Sequence, residues 1–181
     1  MLNGQSVLAV IPARGGSKRA PRKNLREFRG RSLIEWAVLC ARESKYIDMI
    51  IVSTEDAEIS DHSKPMCSVL RRPAELADDQ SSAEDVLRHA LNLLDHQWVV
   101  LLQPTSPLRK WTDIDNCIEM AQDAFPVISV REDKSKNGAV YVTRSEWLLD
   151  GHNFDEPYTA YVMPNDRSLD IDFPEQFEVA A

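Results

Sequence analysis

The chain has 181 residues, 43% hydrophobic and 28% charged, a balance typical of one globular domain covering residues 1–181. No apolar stretch reaches the roughly 18 residues that a membrane-spanning helix needs, so we expect no membrane partner. The net charge of −8 argues against nucleic acid as a partner, because a general nucleic-acid surface needs many phosphate contacts from lysine and arginine.

Strand and helix patterns alternate through most of the chain. Short apolar runs predict strands at Ser6–Pro12, Met49–Ser53, Cys67–Leu70, Trp98–Leu102, Pro126–Val130 and Ala139–Thr143. Three- and four-residue spacing predicts helices after the N-cap Ser32, over Ser82–Leu94, over 112–122 and, in a short form, after Pro174. This alternation predicts a three-layer α/β/α sandwich with a mostly parallel sheet and ligand sites at the carboxyl ends of its strands.

The three cysteines are too far apart for a disulfide framework or a C-x2-C zinc site, so we expect Cys40, Cys67 and Cys117 to act as small buried hydrophobic residues. The first ten residues have no basic segment followed by a long apolar run. A secretory signal is therefore not expected, and the predicted location is cytoplasmic.

Basic residues are concentrated in one segment. Between Arg14 and Arg31 the chain has eight lysines and arginines and one acid, Glu27. This concentration favours a small polyanion as a partner, and its simpler alternative is a solvated basic turn.

The basic segment starts in a loop, residues 13–24, directly after the first predicted strand; we call it the basic loop. Backbone amides at Gly15 and Gly16 can approach a phosphate closely, and the side chains of Arg14, Lys18, Lys23 and Asn24 add charge and an amide donor. The loop contains neither the G-x4-G-K-[ST] nor the G-x-G-x2-G spacing, so it favours neither an ATPase nor a Rossmann dehydrogenase.

Two further segments carry polar groups where the predicted sheet ends. After Leu102 the sequence Q-P-T-S-P-L-R presents Gln103, Thr105, Ser106 and Arg109, although a proline-stiffened loop with an N-cap hydroxyl is the simpler interpretation. Near the carboxyl end, S-L-D-I-D-F-P places two aspartates two residues apart. In an extended strand, Asp170 and Asp172 share a face where a divalent cation such as Mg²⁺ would relieve their repulsion; a solvated acidic turn is the alternative.

These segments, in this order, closely resemble the cytidylyltransferases that activate nine-carbon keto-sugar acids, namely the CMP-N-acylneuraminate (sialic acid) synthetases and their legionaminate and pseudaminate relatives. The segments R-P-A-E-L-A-D-D-Q-S-S at 72–82 and N-G-A-V-Y-V at 137–142 extend the resemblance over nearly the whole chain. The resemblance implies the nucleotide-diphospho-sugar transferase type of α/β sandwich. It also implies an enzyme that joins CMP from CTP to a keto-sugar acid and releases pyrophosphate.

The resemblance also implies roles for individual residues. Most of them bind the nucleotide: Arg14, Ser17, Lys18, Lys23 and Asn24 hold the triphosphate, and Arg72 and Ser82 recognise cytosine. Gln103, with Thr105, Ser106 and Arg109, faces the sugar acid. Asp170 and Asp172 bind Mg²⁺, and catalysis falls to Arg14, Lys18 and Asp172, with Asp172 as the base or with no dedicated side-chain base at all.

The chain departs from the family between Val130 and Asn137. Relatives carry several dozen residues there, an arm that pairs two subunits and supplies cations to the sugar, and this chain has only six. We therefore expect a monomer or a weak homodimer, with Lys134, Lys136 or Arg109 left to bind the sugar carboxylate. The alternative function is a CTP- or sugar-acid-binding protein that lost turnover with the arm.

Overall fold

A twisted mixed sheet forms the centre of the computed structural model, which describes residues 1–17, 19–78 and 80–179. Within these ranges the strands are β1 (Val7–Pro12), β2 (Glu27–Phe28), β3 (Arg31–Ser32), β4 (Met49–Thr54), β5 (Ser68–Arg71), β6 (Trp98–Leu101), β7 (Val127–Val130), β8 (Lys136–Arg144) and β9 (Thr159–Val162). The large sheet has the order β5-β4-β1-β6-β8-β7-β9, and β2 pairs with β3 in a separate hairpin. β8 is antiparallel to β6 and β7, and the other neighbours in the large sheet are parallel.

The helices lie on both faces of this sheet: α1 (Leu33–Glu43), α2 (Ala57–Ser63), α3 (Ala83–Leu91), α4 (Trp111–Ala121), α5 (Ser145–Leu149) and α6 (Gln176–Val179). Capping residues fix where they begin. Ser32 and Glu35 form a capping box on α1, Asp56 caps α2, and Ser82 and Asp85 form a capping box on α3. None of the described helices is long and apolar enough to cross a membrane.

The alternation of side chains along β1 divides the core into two layers. Ala9 and Ile11 point to one face, where they pack with residues of α1, α2 and α4. Leu8 and Val10 point to the other face, where they pack with residues of α3 and α5. The predicted three-layer α/β/α sandwich is therefore confirmed.

The predicted strands and long helices all form, with ends that shift by a few residues. The hairpin β2–β3, helices α2 and α5, and edge strand β9 were not predicted, because each is short and lacks a strong periodic pattern. Of the three cysteines, Cys117 is fully buried, whereas Cys40 and Cys67 are partly buried. Burial raises the pKa of each of these thiols.

The acidic segment near the carboxyl end is not a strand, which corrects the prediction for residues 168–174. The side chain of Gln176 folds back over it, and its Oε1 accepts hydrogen bonds from the amides of Asp172 (2.7 Å) and Phe173 (2.8 Å). These bonds turn the chain after Asp172, so the two aspartates are not placed by the pleat of a strand.

A small third core fixes the same segment beside the hairpin. Ile171 and Phe177 are buried against Phe28 and Leu33. The guanidinium of Arg26 lies over the ring of Phe177, 4.5 Å from its centroid. The carboxyl-terminal segment is thereby held against the part of the chain that follows the basic loop.

Candidate active site

A cleft of about 630 Å³ opens where the parallel strands end. β1 leads into the basic loop, β5 into Arg72 and β6 into Gln103, so the three segments meet at one edge of the sheet, as expected for ligand sites of this fold class. The cleft is lined by Pro12, Arg14, Ser17, Arg19, Ala20, Lys23, Asn24, Arg72, Leu76, Asp78, Ser81, Ser82, Ala83, Val86, Gln103, Pro104, Thr105 and Asp172.

The basic loop and the acidic segment are in direct contact across this cleft. Lys23 Nζ lies 2.9 Å from Asp172 Oδ1, and Arg19 Nη1 lies 3.4 Å from Asp172 Oδ2. The contacts join residues about 150 positions apart in the chain. Lys18, which the sequence also places in this loop, lies outside the described residues.

Asn24 holds the loop in shape and is nearly buried. It lies within a 3₁₀ turn, Lys23–Leu25, and its side-chain amide donates to the carbonyl of Arg14 at 3.0 Å. Arg14 Nη1 donates to the carbonyl of Asp78 at 3.2 Å, which connects the loop to the opposite wall of the cleft. Asn24 thus has a role in fixing the loop, in addition to the phosphate contact that the sequence suggested.

The two aspartates of the acidic segment lie in different environments. Asp172 is half-exposed, whereas Asp170 is mostly buried, and its Oδ1 has no hydrogen-bond partner among the described residues. Burial raises the pKa of Asp170, the nearby Thr105 hydroxyl acts against this increase, and the negative charge of Asp172 adds to it.

An unpartnered buried carboxylate oxygen beside a second carboxylate suits a hard divalent cation. The described residues contain no cluster of three or more histidine, cysteine, aspartate or glutamate side chains that could hold a metal. The two aspartates would therefore need further oxygen ligands from a bound molecule, such as phosphate, to complete a Mg²⁺ shell.

The predicted cytosine contacts, Arg72 and Ser82, both line the same cleft as Asp172. Ser82 caps α3: its hydroxyl accepts from the amide of Asp85 at 3.1 Å and lies 2.8 Å from Asp85 Oδ2. The hydrogen bond from the Ser82 hydroxyl lowers the pKa of Asp85. Arg72 is paired with Glu55, with Nη2 to Oε2 at 3.0 Å.

Only part of the predicted sugar-facing segment reaches the cleft. Gln103 and Thr105 line it, and the buried hydroxyl of Thr105 lies close to the Asp170 carboxylate. Ser106 is buried at the carbonyl of Asn137, 3.5 Å away.

Arg109 is buried away from the cleft, which corrects its assignment to the sugar site. Its Nη1 donates to the carbonyls of Gln103 (3.1 Å) and Ala139 (2.6 Å). Burial lowers its pKa, and the residue lines a second cavity beside Trp36 and Trp111. Arg109 therefore stabilises the loop that carries Gln103.

Lys136, another predicted partner of the sugar carboxylate, does not line the cleft. Its Nζ donates to the carbonyl of Phe154 and pairs with the Asp155 carboxylate.

Two residues at the site were missed by the sequence analysis. Gly138 has φ +74°, and a Cβ there would lie 2.7 Å from Gln103 Oε1 and 3.8 Å from Asp170 Oδ2. Gly138 lies inside β8 and directly before the predicted strand, and a glycine within a strand is a recognised sign of such close approach. Glu55, directly after β4, accepts a hydrogen bond from the Gly15 amide at 2.8 Å, so this amide is not free for phosphate as expected. Nothing in the local sequence distinguishes Glu55 from other loop acids.

The sequence profile of the cytidylyltransferases matches residues 8–159. The chain belongs to this family. It is similar to the N-acylneuraminate cytidylyltransferase of Escherichia coli, with 29% identity over 213 residues that include 96% of this chain and 51% of that protein. It is equally similar to the CMP-N,N'-diacetyllegionaminic acid synthase of Legionella pneumophila, with 29% identity over 215 residues, 93% of this chain and 91% of that protein.

A solved structure of a CMP:2-keto-3-deoxy-manno-octonic acid synthetase complexed with CTP has the same fold. Its TM-score to this cytidylyltransferase-family chain is 0.80 at 15% sequence identity, and the overlap covers 96% of each chain.

The chain and the two named relatives differ in length over the region that aligns. The chain spans about half the length of the E. coli protein, and the aligned lengths of 213 and 215 residues exceed the 181 residues of the whole chain, so the relatives have residues without a counterpart here. At the point where the arm was expected to be missing, β7 joins β8 through a tight turn. The amide of Arg131 donates to the carbonyl of Ser135 at 2.8 Å, and Lys134 has φ +70°.

Proposed function

We propose that this protein transfers CMP from CTP to a keto-sugar acid of the nonulosonate type and releases pyrophosphate. The contact between Lys23 and Asp172, in a cleft that also holds Arg72 and Ser82, is the observation that carries the proposal. It brings the predicted phosphate-binding and cation-binding groups together, in a cleft that the predicted base-binding groups also line.

The basic loop binds the triphosphate in this proposal. Arg14 and Lys23 face the cleft, and they offset the negative charge of the phosphates and stabilise the departing pyrophosphate, with Lys18 adding to the same effect. In the unliganded protein Asp172 neutralises Lys23, so the lysine exchanges or shares this partner when the nucleotide binds.

Asp170 and Asp172 are the residues that would hold Mg²⁺, which is consistent with the unpartnered Oδ1 of Asp170. A bound Mg²⁺ ion would neutralise part of the negative charge of the phosphates.

The anomeric hydroxyl of the sugar acid is the nucleophile. Its oxygen forms a bond to the α-phosphorus of CTP as the bond from that phosphorus to the bridging oxygen breaks, and pyrophosphate leaves with the bond's electron pair. The hydroxyl proton goes to Asp172 or to solvent. Gln103 and Thr105 position the sugar acid, since both line the cleft near Asp172.

A second function is favoured by the shortened turn after β7. If the arm is essential for sugar binding, the protein would bind CTP without turning it over, as a monomer or a weak homodimer. The closed turn at residues 131–135 brings no cation into the cleft lining among the described residues, which is the observation in favour of this alternative.

The two functions are separated by ³¹P NMR of the protein with CTP and Mg²⁺, tested with sialic, legionaminic, pseudaminic and 3-deoxy-octulosonic acids. Pyrophosphate together with a new phosphodiester resonance, with any one acid, supports the transferase. Tight CTP binding with no new resonance with any acid contradicts it and supports the binding protein. Light scattering in the same buffer gives the oligomeric state.

A further inference from the structure

Glu55 connects the basic loop to Arg72, the arginine that is predicted to bind cytosine. Its Oε1 accepts a hydrogen bond from the Gly15 amide at 2.8 Å. Its Oε2 accepts hydrogen bonds from both Nη2 (3.0 Å) and Nε (3.2 Å) of Arg72. The Arg72 side chain is only 3% exposed, and Glu55 is 22% exposed. One carboxylate therefore fixes groups from two separate segments.

The turn that carries Glu55 is itself firmly held. The backbone amide of Arg72 donates to the carbonyl of Thr54 at 3.1 Å, and the amide of Asp56 donates to Thr54 Oγ1 at 3.1 Å. Gly15 packs so closely on the Asp56 carboxylate that a Cβ at Gly15 would collide with it. Glu55 therefore acts from a rigid frame rather than from a mobile loop.

The pairing decides which edge of the Arg72 guanidinium remains available. Nε and one hydrogen of Nη2 form the edge that is bound to Glu55. The other edge, with one hydrogen each from Nη1 and Nη2, is a pair of nearly parallel donors. Within the described residues, no hydrogen bond involves Nη1, and Arg72 lines the cleft.

Such a pair of donors distinguishes cytosine from uracil. The O2 and N3 atoms of cytosine are adjacent acceptors and suit two parallel donors, whereas N3 of uracil carries a hydrogen that faces a donor. Glu55 also neutralises the charge of Arg72, which reduces the attraction of this arginine for the phosphates.

We propose that Glu55 is a positioning residue that gives the site its preference for cytosine over uracil nucleotides, by fixing the guanidinium of Arg72. This inference rests on the proposed function, because it takes the cleft to be a CTP site. Glu55 itself does not touch the nucleotide, and its effect passes through Arg72 and Gly15.

Calorimetric binding of CTP and of UTP to the full chain with Mg²⁺ tests the inference. Glu55→Gln offers one acceptor and one donor where two acceptors are needed, so it cannot satisfy both Gly15 and Arg72. We expect CTP affinity to fall on the order of tenfold or more, UTP affinity to change little, and the preference to shrink accordingly. Glu146→Gln, on the exposed side of α5, is the matched control with unchanged preference.

Two more variants keep the test decisive if Glu55→Gln folds poorly. Glu55→Asp retains the charge but is one methylene shorter, and it should lose part of the preference. Arg72→Lys retains the charge but has no fork, so it should lose the preference fully, and Glu55→Gln should add no further loss to it.

The outcomes separate this inference from the proposed function. A wild-type protein that prefers CTP, with the same preference in folded Glu55→Gln and Glu55→Asp, overturns the inference alone. Equal losses for CTP and UTP point to a merely structural role and also overturn it. A wild-type protein that binds neither nucleotide overturns the proposed function and this inference with it.

Discussion

Lys23 and Asp172 form an ion pair of 2.9 Å between the loop after the first strand and the segment before the last helix. The lysine side chain is 16% exposed and the aspartate 39%, so the pair lies at the mouth of the cleft rather than in the core. Arg19 contacts the same carboxylate, which shows that the two segments approach each other through more than one contact. The pair places the cation proposed to bind phosphate beside the carboxylate proposed to bind Mg²⁺.

Asp172→Asn is expected to abolish most turnover while retaining CTP binding. The amide keeps the size of the carboxylate but removes the charge that the proposed chemistry needs, and losses of ~100-fold or more in kcat are typical for such groups. The measurement is pyrophosphate release at saturating CTP, with the CTP affinity measured in parallel. Glu175→Gln, an exposed acid three residues away, is the control and should retain full turnover. Unchanged turnover in Asp172→Asn would remove the role assigned to this carboxylate.

Gly138→Ala is expected to distort the site as well as to strain the backbone. The residue has φ +74°, and a new Cβ would meet Gln103 Oε1 at 2.7 Å. Gly151→Ala is the matched control, because it has φ +97° but no atom within 4 Å of the new Cβ. Both variants should lose about 1–3 kcal/mol of unfolding free energy from strain, and only Gly138→Ala should also lose turnover. Equal turnover in the two variants would show that the close approach of Gly138 to Gln103 does not matter for activity.

The ion pair between Asp113 and Arg167 is expected to be essential for docking the carboxyl-terminal segment. The Asp113 side chain has no exposed surface, and it accepts two bonds from Arg167, at 2.7 and 3.0 Å, and one from Tyr161 at 2.9 Å. Asp113→Asn leaves Arg167 poorly paired and should lower the unfolding free energy by about 3–5 kcal/mol. Chemical denaturation measures this loss, with the exposed Asp123→Asn as the control. A loss below 1 kcal/mol would contradict it.

The sequence predicted the sheet and the long helices because these elements carry strong patterns. Val7 to Ile11 alternate between two buried layers, and Ser32 with Glu35 marks the start of α1 directly. It also predicted that the basic loop and the acidic pair meet, because the resemblance to the cytidylyltransferases implies that both belong to one nucleotide site. It did not predict the partner of each charged group.

The errors at the site come from long-range packing. In the sequence Arg109 has the appearance of an exposed cation, but in the fold its Nη1 donates to the carbonyl of Gln103 in the same loop and to that of Ala139 in β8. The turn at Asp172 depends on the side chain of Gln176, which no strand or helix pattern reveals. Glu55 gains its role only when β1, β4 and β5 are side by side, so its contacts with Gly15 and Arg72 follow from the strand order.

Asp56 is expected to make stability depend on pH below neutrality. Its hydrogen bond with Arg22, followed by its cap of the Ile59 amide, lowers the pKa of Asp56 below the usual 3.8. The unfolded chain therefore takes up a proton at higher pH than the folded protein, and the stabilisation, present above about pH 4, is lost as the pH falls through the folded pKa.

Asp56→Asn isolates this contribution, since asparagine still caps a helix but has no charge. The wild-type protein should be more stable than the variant at pH 7, and the difference should shrink below about pH 4. Denaturation from pH 7 to pH 3 measures it, with the exposed Asp61→Asn as the control. A difference that stays constant over this range would show that the Arg22 bond does not stabilise the charged form.

The most direct test of the central claim is a crystal structure of the protein with CTP and Mg²⁺. The account predicts the triphosphate between Arg14 and Lys23, the cation on Asp170 and Asp172, and the cytosine against Arg72. Nucleotide bound in the second cavity beside Trp36 and Trp111, or phosphates that lie away from both Lys23 and Asp172, would contradict it.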